Sequence, residues 1–412
     1  MPPSKDRQII RELAEQVAEL AALPVQEEKR RLWRKLNALK PERPMVMMDQ
    51  VCWNEMELGD ELTLKCEDPE CRGYEIFLRR TLYQWNHFRV DMVVEPFLRV
   101  PKAIQNSGFG VAAQAHTAPI DPTSDVIGQW YVNQFETEQD LDKIQTPRIC
   151  HDPVETERRL SVAHELLDGL LEPVADGMDP YVSIWDPISS YMGVEAALWA
   201  LIDRPDYMHR LVDKITDGYL SMLDQLEDQG LLCGPQSLIH CTGAWTDELP
   251  APGYNPDKPR LKDRWMFGLA QMFSTVSPAM FKEFEVDYAS KICARFGIVY
   301  YGCCDPLDGK MNEVRQIPNV RKISMSPWVD QERGAAAIGN DFVFSRKPSP
   351  AMLAVDDFSK ERVKADLQNT KDICDRNGCP LELILKDIST VRYEPRRMTL
   401  WAEAAMEVVE ER

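Results

Sequence analysis

The stretch Val276–Pro306, VSPAMFKEFEVDYASKICARFGIVYYGCCDP, decides the fold. It reads as a helix over Pro278–Phe296 followed at once by a short apolar strand, Ile298–Cys303, which stops on two cysteines, an aspartate and a proline. A helix feeding a buried strand whose end carries reactive side chains is the repeating unit of a parallel α/β protein. The same rhythm extends in both directions. Further strands are read at Asp91–Phe97, Tyr181–Trp185, Ser237–Cys241, Trp265–Phe273, Arg321–Met325, Asp341–Phe344 and Leu381–Leu385. Helices are read at Glu155–Leu171, Val194–Leu201, Pro205–Gln229 and Ser359–Asn377. Eight strands with intervening helices is the count of a closed (β/α)8 TIM barrel, here over residues 91–412. An open doubly wound sheet would want a glycine-rich phosphate loop after the first strand, and Phe97-Leu98-Arg99-Val100-Pro101 is not one.

Residues 1–90 read as a helical and mixed extension packing on the barrel. Ile9, Leu13, Val17 and Leu20 recur at helical spacing, and apolar runs broken by polar ones fill 45–90. Two long insertions, 99–179 and 246–263, have the length of lids or binding loops.

Composition excludes several classes. Asp and Glu outnumber Lys and Arg by 67 to 48, a formal charge of −19, and such a surface repels nucleic acid. No apolar run approaches a membrane span and no secretion signal is evident, so a cytoplasmic location is expected. Eleven cysteines in such a chain read as thiols or metal ligands rather than disulfides. Cys66 and Cys71 lack two further ligands at short spacing and read as structural.

In a barrel, chemistry gathers where strands end. Cys303 and Cys304 close one strand, and both can reach one ion only if the strand kinks or ends between them, which Gly302 and Pro306 permit. Of six histidines, His240 alone closes a predicted strand, beside Cys241. A mixed imidazole and thiolate set suits zinc, giving His240, Cys303 and Cys304 as candidate ligands, against the plainer reading of buried structural residues. Glu95, Asp186 and Asp305 are strand-end carboxylates followed by proline, placed as acids, bases or anchors, or as helix caps. Asp387 is a weaker case of the same kind. Phe97, Trp185, Tyr191, Met192, Phe273 and Phe344 are the candidates for an apolar substrate pocket. The only local basic pair at a strand end is Arg346-Lys347.

Ser277-Pro278-Ala279-Met280-Phe281-Lys282-Glu283-Phe284 resembles the "SPxxFxEF" helix start of uroporphyrinogen decarboxylase-like proteins, and Gly302-Cys303-Cys304-Asp305 stands where that superfamily has an "HxCGN"-like strand end. Gly339–Phe344, Leu385–Val391, Pro395–Met398 and Trp401 look like the same superfamily, so the resemblance covers roughly residues 180–410. The decarboxylase itself is disfavoured, because its arginine-rich "PVWxMRQAGR" motif has no counterpart here. The resemblance is rather to the corrinoid-dependent methyltransferase branch. It implies a zinc enzyme moving a methyl group between a small-molecule methyl donor and the cobalamin of a separate corrinoid protein. Cys303 or Cys304 falls on that family's cysteine. The family's histidine two residues earlier falls on Tyr301 or Gly302, leaving His240 to complete the site. The late cysteine of thiol-methylating members is replaced by Ser345-Arg346-Lys347. The resemblance thus leaves demethylation of an O-methyl or N-methyl compound, and the aromatic pocket candidates put an aromatic methyl ether before others. The alternatives are a methylcobamide:thiol methyltransferase, a metal-independent decarboxylase or lyase, and a non-catalytic binding barrel. A homodimer is the expected assembly.

Overall fold

The computed structural model describes residues 3–119, 127–269 and 271–411. Its centre is a curled sheet of six parallel strands: β1 (Met45–Met48), and then, after four further strands β2 to β5 given below, β6 (Trp265–Gly268), β7 (Ile298–Tyr301), β8 (Val320–Met325), β9 (Val343–Arg346) and β10 (Leu381–Leu385). They lie in the order β1-β10-β9-β8-β7-β6, with Met45 opposite Glu382 and Trp265 opposite Ile298. Every residue of β1, β6, β7, β9 and β10 is buried, as a parallel sheet covered on both faces requires.

Side chains alternate between two environments. Val46, Val299, Tyr301, Ile323, Phe344 and Leu383 face outward into the shell of helices. Met45, Met47, Trp265, Phe267, Ile298, Tyr300, Val343 and Ile384 face inward. The inward row also holds polar and charged groups: Lys322, Ser345, Lys347, Glu382 and Lys386 are all buried. This period of two is what a strand imposes.

The eight-stranded closed barrel is only partly realised. The six strands make a half-barrel, and no closed barrel is formed among the described residues. The run Asp91–Glu95 is irregular; β2 (Phe97–Pro101) comes after it and pairs in parallel with β3 (Glu172–Asp176), apart from the main sheet. Tyr181–Trp185 contributes a single bridge, Val182 to Gly268, before a helix starts at Trp185. Ser237–Cys241 is one arm and the turn of a hairpin, β4 (Leu238–Ile239) with β5 (Thr242–Gly243). Two further antiparallel pairs, Ala103–Asn106 with Ile149–Asp152 and Ala115–Pro119 with Ile127–Tyr131, belong to the first long insertion.

Helices α1 (Ser4–Ala21), α2 (Pro24–Asn37) and α3 (Pro69–Phe88) cover the gap beside β1. The start of α3 is fixed by Asp68, whose carboxylate accepts from the Glu70 and Cys71 amides, with Pro69 at the first helical position. Trp33 of α2 is fully buried and donates to the Asp91 carbonyl at 3.0 Å. Since β1 lies within residues 1–90 and pairs with β10, the first ninety residues include a strand of the main sheet. Among the described residues no helix is long and apolar enough to cross a membrane.

Candidate functional site

Two chain segments meet at the C-terminal rim of the sheet. The first is the end of β7. The strand stops at Tyr301, and Gly302 takes φ 92°, where a side chain is disfavoured. A Cβ there would also lie 2.5 Å from a Leu307 methyl. The turn sends Cys303 inward, where it is buried, and leaves Cys304 exposed. The kink expected from Gly302 is therefore present.

The second segment is the β4–β5 hairpin. Its two turn residues, His240 and Cys241, have φ of 37° and 67°. Positive φ at both central positions is the signature of a tight hairpin turn normally filled by Asn or Gly. Holding His and Cys there stores backbone strain, which persists only where surrounding contacts impose it. Those contacts lie inside the half-barrel. Thr242 donates to Glu382 at 2.7 Å, and Lys322 donates to Thr242 at 3.0 Å and to the Gly243 carbonyl at 3.1 Å. Asn37 of α2 donates to the same carbonyl at 3.0 Å, and a Cβ on Gly243 would sit 2.4 Å from the Trp33 ring.

The hairpin carries His240 to Cys303. His240 Nε2 lies 3.7 Å from Cys303 Sγ, and Cys303 Sγ lies 3.6 Å from Cys304 Sγ. The imidazole stacks on Phe267 with ring centroids 3.7 Å apart and planes 9° apart. Lys386, one residue beyond β10, places Nζ 3.5 Å from Cys303 Sγ and 2.7 Å from Asp387. Lys347, one residue beyond β9, donates to Ser345 at 2.7 Å and lies over the Tyr300 ring at 4.9 Å.

The electrostatics favour a thiolate at Cys303. A hydrogen bond from Cys304, then one from His240 and the charge of Lys386, hold it well below the ordinary thiol range, while Cys304 is pushed up in return. Burial keeps His240 neutral by lowering its pKa. Burial also opposes the charge on Lys386, but Cys303 and Asp387 outweigh it and raise its pKa. Lys347, wholly buried, is pushed down to about 8 by desolvation.

Zinc ligated by thiolate at about 2.3 Å and imidazole at about 2.0 Å spaces its ligand atoms roughly 3.5–3.8 Å apart. The Cys303 contacts to His240 and Cys304 fall in that range, and imidazole and thiolate are donor types that zinc accepts. Among the described residues, however, no group of three or more His, Cys, Asp or Glu side chains already converges to hold an ion. Cys241 is buried beside Asp49, and desolvation raises its thiol above the ordinary range.

The carboxylates divide. Asp305 is buried, accepts from the Phe273 amide at 2.8 Å, and is pushed up to about 6 by desolvation. Asp186 accepts from Tyr181 at 2.8 Å and from Gln271 at 3.3 Å. Glu95 is engaged by Arg30 at 2.7 Å and Ser237 at 2.6 Å, and lines a separate crevice together with Phe97. Trp185, Tyr191, Met192, Phe273 and Phe344 are buried in the shell between sheet and helices, not gathered around the thiols. A cavity of about 750 Å3 opens beyond β1 and β10, lined by Gln50, Trp53, Arg80 and Asp387 among others. Asp387 joins it to the thiol centre through Lys386.

Lys347, Lys386 and the buried Lys322–Glu382 pair were not singled out by sequence reasoning, apart from the basic pair Arg346-Lys347. A signal existed: each lies on the inward period of its strand.

No family model matches this chain, and no curated protein matches it either. Among solved structures, a methyltransferase from Methanosarcina mazei is similar in fold, with a TM-score of 0.50 and 11% sequence identity. The match covers 92% of this chain and 97% of that one. The two share an architecture over nearly their whole lengths.

Proposed function

We propose that this chain is a methyltransferase that takes a methyl group from an O-methyl compound, an aromatic methyl ether before others, or from an N-methyl one, and passes it to the cobalamin of a separate corrinoid protein. The observation that carries the reading is the approach of His240 to Cys303 within 3.7 Å at the rim, with Cys304 a further 3.6 Å away. The fold shared with a methyltransferase supports it at the level of architecture.

In this reading Cys303, His240 and Cys304 would hold zinc. When bound, zinc supplies Lewis acidity that stabilises an anionic leaving group. The chain's own residues prepare the centre. Cys304, His240 and Lys386 keep Cys303 deprotonated, as a metal-ligating thiolate must be. Phe267 fixes the imidazole plane by stacking. Asp387 steadies Lys386, and the cavity beside it is the entry for the methyl donor. Asp305, pushed up to about 6, can take a proton from solvent near neutral pH and supply it to the demethylated product.

The test combines metal analysis with turnover. Wild-type protein is expected to carry one zinc per chain, and Cys303→Ala and His240→Ala to lose it together with activity. Supplied with a Co(I) corrinoid protein and a panel of methoxylated aromatics, methylamines and methanol, wild type is expected to form methylcobalamin with at least one donor. No methylcobalamin from the whole panel, or zinc retained by Cys303→Ala, would overturn the proposal.

A further inference from the structure

A crevice of about 580 Å3 lies where the half-barrel wall is incomplete, between α3 and the run from Met92 to Pro101. Its surface is mainly apolar, with Phe77, Phe97, Leu98, Leu238 and Trp245 on its walls. Phe77 and Leu238 are 49% and 43% exposed, so large apolar side chains stand in water over an open cavity. Such an arrangement loses free energy until something apolar covers it.

The charged groups around the crevice are already engaged. Glu95 is held by Arg30 and Ser237. Arg99 pairs with Asp176 at 3.0 Å and donates to the Pro235 carbonyl. Arg159 pairs with Glu155 at 2.9 Å, and Glu70 with Arg158 at 2.8 Å. An ionic ligand would be desolvated there without gaining a free counter-charge. Three neutral polar groups remain on the wall: among the described residues, the Tyr74 hydroxyl, the Gln84 amide oxygen and the Trp245 indole N–H have no hydrogen-bond partner, while the Gln84 amide nitrogen donates to the Met48 carbonyl.

We propose that this crevice binds an uncharged, largely apolar small molecule bearing one neutral polar group. It is a site distinct from the thiol centre but close to it. Leu238 precedes His240 by two residues, about 7 Å of extended chain. Binding here requires neither metal nor corrinoid, so the site stands or falls apart from the function proposed above.

The probe is N-phenyl-1-naphthylamine, uncharged and fluorescent in apolar surroundings, titrated into the full chain. One saturable site per chain is expected. Its anionic analogue, 1-anilinonaphthalene-8-sulfonate, is expected to bind at least about tenfold more weakly. Gly73 lines the crevice on α3, and a Cβ added there meets nothing within 4 Å. Gly73→Leu therefore starts its side chain in open space at the crevice and is expected to weaken the probe at least about tenfold while Tm holds or rises. Phe77→Asp, at a half-exposed helix position, is the second variant and is expected to weaken it likewise. Unchanged affinity in folded Gly73→Leu and Phe77→Asp, or equal binding of the sulfonate, would overturn the assignment. Probe binding intact in a protein that transfers no methyl group would reject the function and leave this site standing.

Discussion

Glu285 is a carboxyl group in the wrong medium. It is wholly buried behind β7, where Tyr301 donates to one oxygen at 2.8 Å and the other has no partner among the described residues. A π-turn over Lys282–Val286 inserts it there, and such turns mark strained or functional stretches of a helix. Desolvation, then the nearby Asp305 and Asp186 charges, push it from 4.5 up to about 8. The native fold therefore favours the protonated acid. That contribution is fully present below the unfolded value of 4.5 and is lost as pH rises through about 8. Wild type is expected to lose stability between pH 5 and 8 relative to Glu285→Gln, by on the order of 2 kcal/mol in paired urea melts. Parallel pH profiles for the two proteins would refute this. At this scale the sequence showed the reactive residues at strand ends, because Cys303 and His240 are rare types in informative places. It did not show Lys386 at the same centre. A lysine after an apolar run reads as a solvated strand end, and only its inward period, shared with Glu382 and Ile384, places it beside a thiol.

The element that matters most is the β4–β5 hairpin, held by a buried ion pair. Lys322 and Glu382 meet at 2.7 Å with both side chains fully buried, and Thr242 completes the junction. Removing one partner leaves an uncompensated charge in the half-barrel. Lys322→Met is expected to cost roughly 3–5 kcal/mol in chemical denaturation, while Lys322→Met combined with Glu382→Leu recovers most of that loss. A double variant as unstable as the single one would show that the pair's geometry, rather than its charge balance, carries the effect. The hairpin was not legible beforehand. Tight two-residue turns announce themselves through Asn-Gly or Asp-Gly, and His240-Cys241 carries no such mark. Helix α3 was missed for a related reason: its partly buried face mixes Cys71, Tyr74 and Leu78 with charges, which reads as broken apolar runs. By contrast β7 to β10 are short runs with apolar residues between helices, and the predicted strands overlap each of them, matching β10 residue for residue.

For the whole molecule, residues 1–90 are bound to the rest at several points. β1 pairs with β10, Trp33 lies beneath the hairpin, and Arg43 grips the buried Asp91 at 2.6 Å. Removal of residues 1–40 takes away Trp33 and Asn37 while sparing every strand. The shortened chain is expected to lose its cooperative thermal transition, followed by far-UV circular dichroism. A sharp melt near the wild-type temperature would instead mark α1 and α2 as dispensable. Sequence reading captured the alternating architecture, since buried parallel strands and amphipathic helices differ in period. Which runs join the main sheet was not legible, because a run that ends in Glu, Asp or His looks alike whether it enters that sheet or a neighbouring hairpin.

The anchoring of the hairpin has a consequence for biosynthesis. Thr242 leans on Glu382, 140 residues later in the chain, and its neighbour Gly243 on Trp33 and Asn37 far earlier. A ribosome must therefore translate β10 before His240 can be clamped beside Cys303. Nascent or prematurely terminated products that lack β10 would leave the hairpin unclamped and His240 free of Cys303.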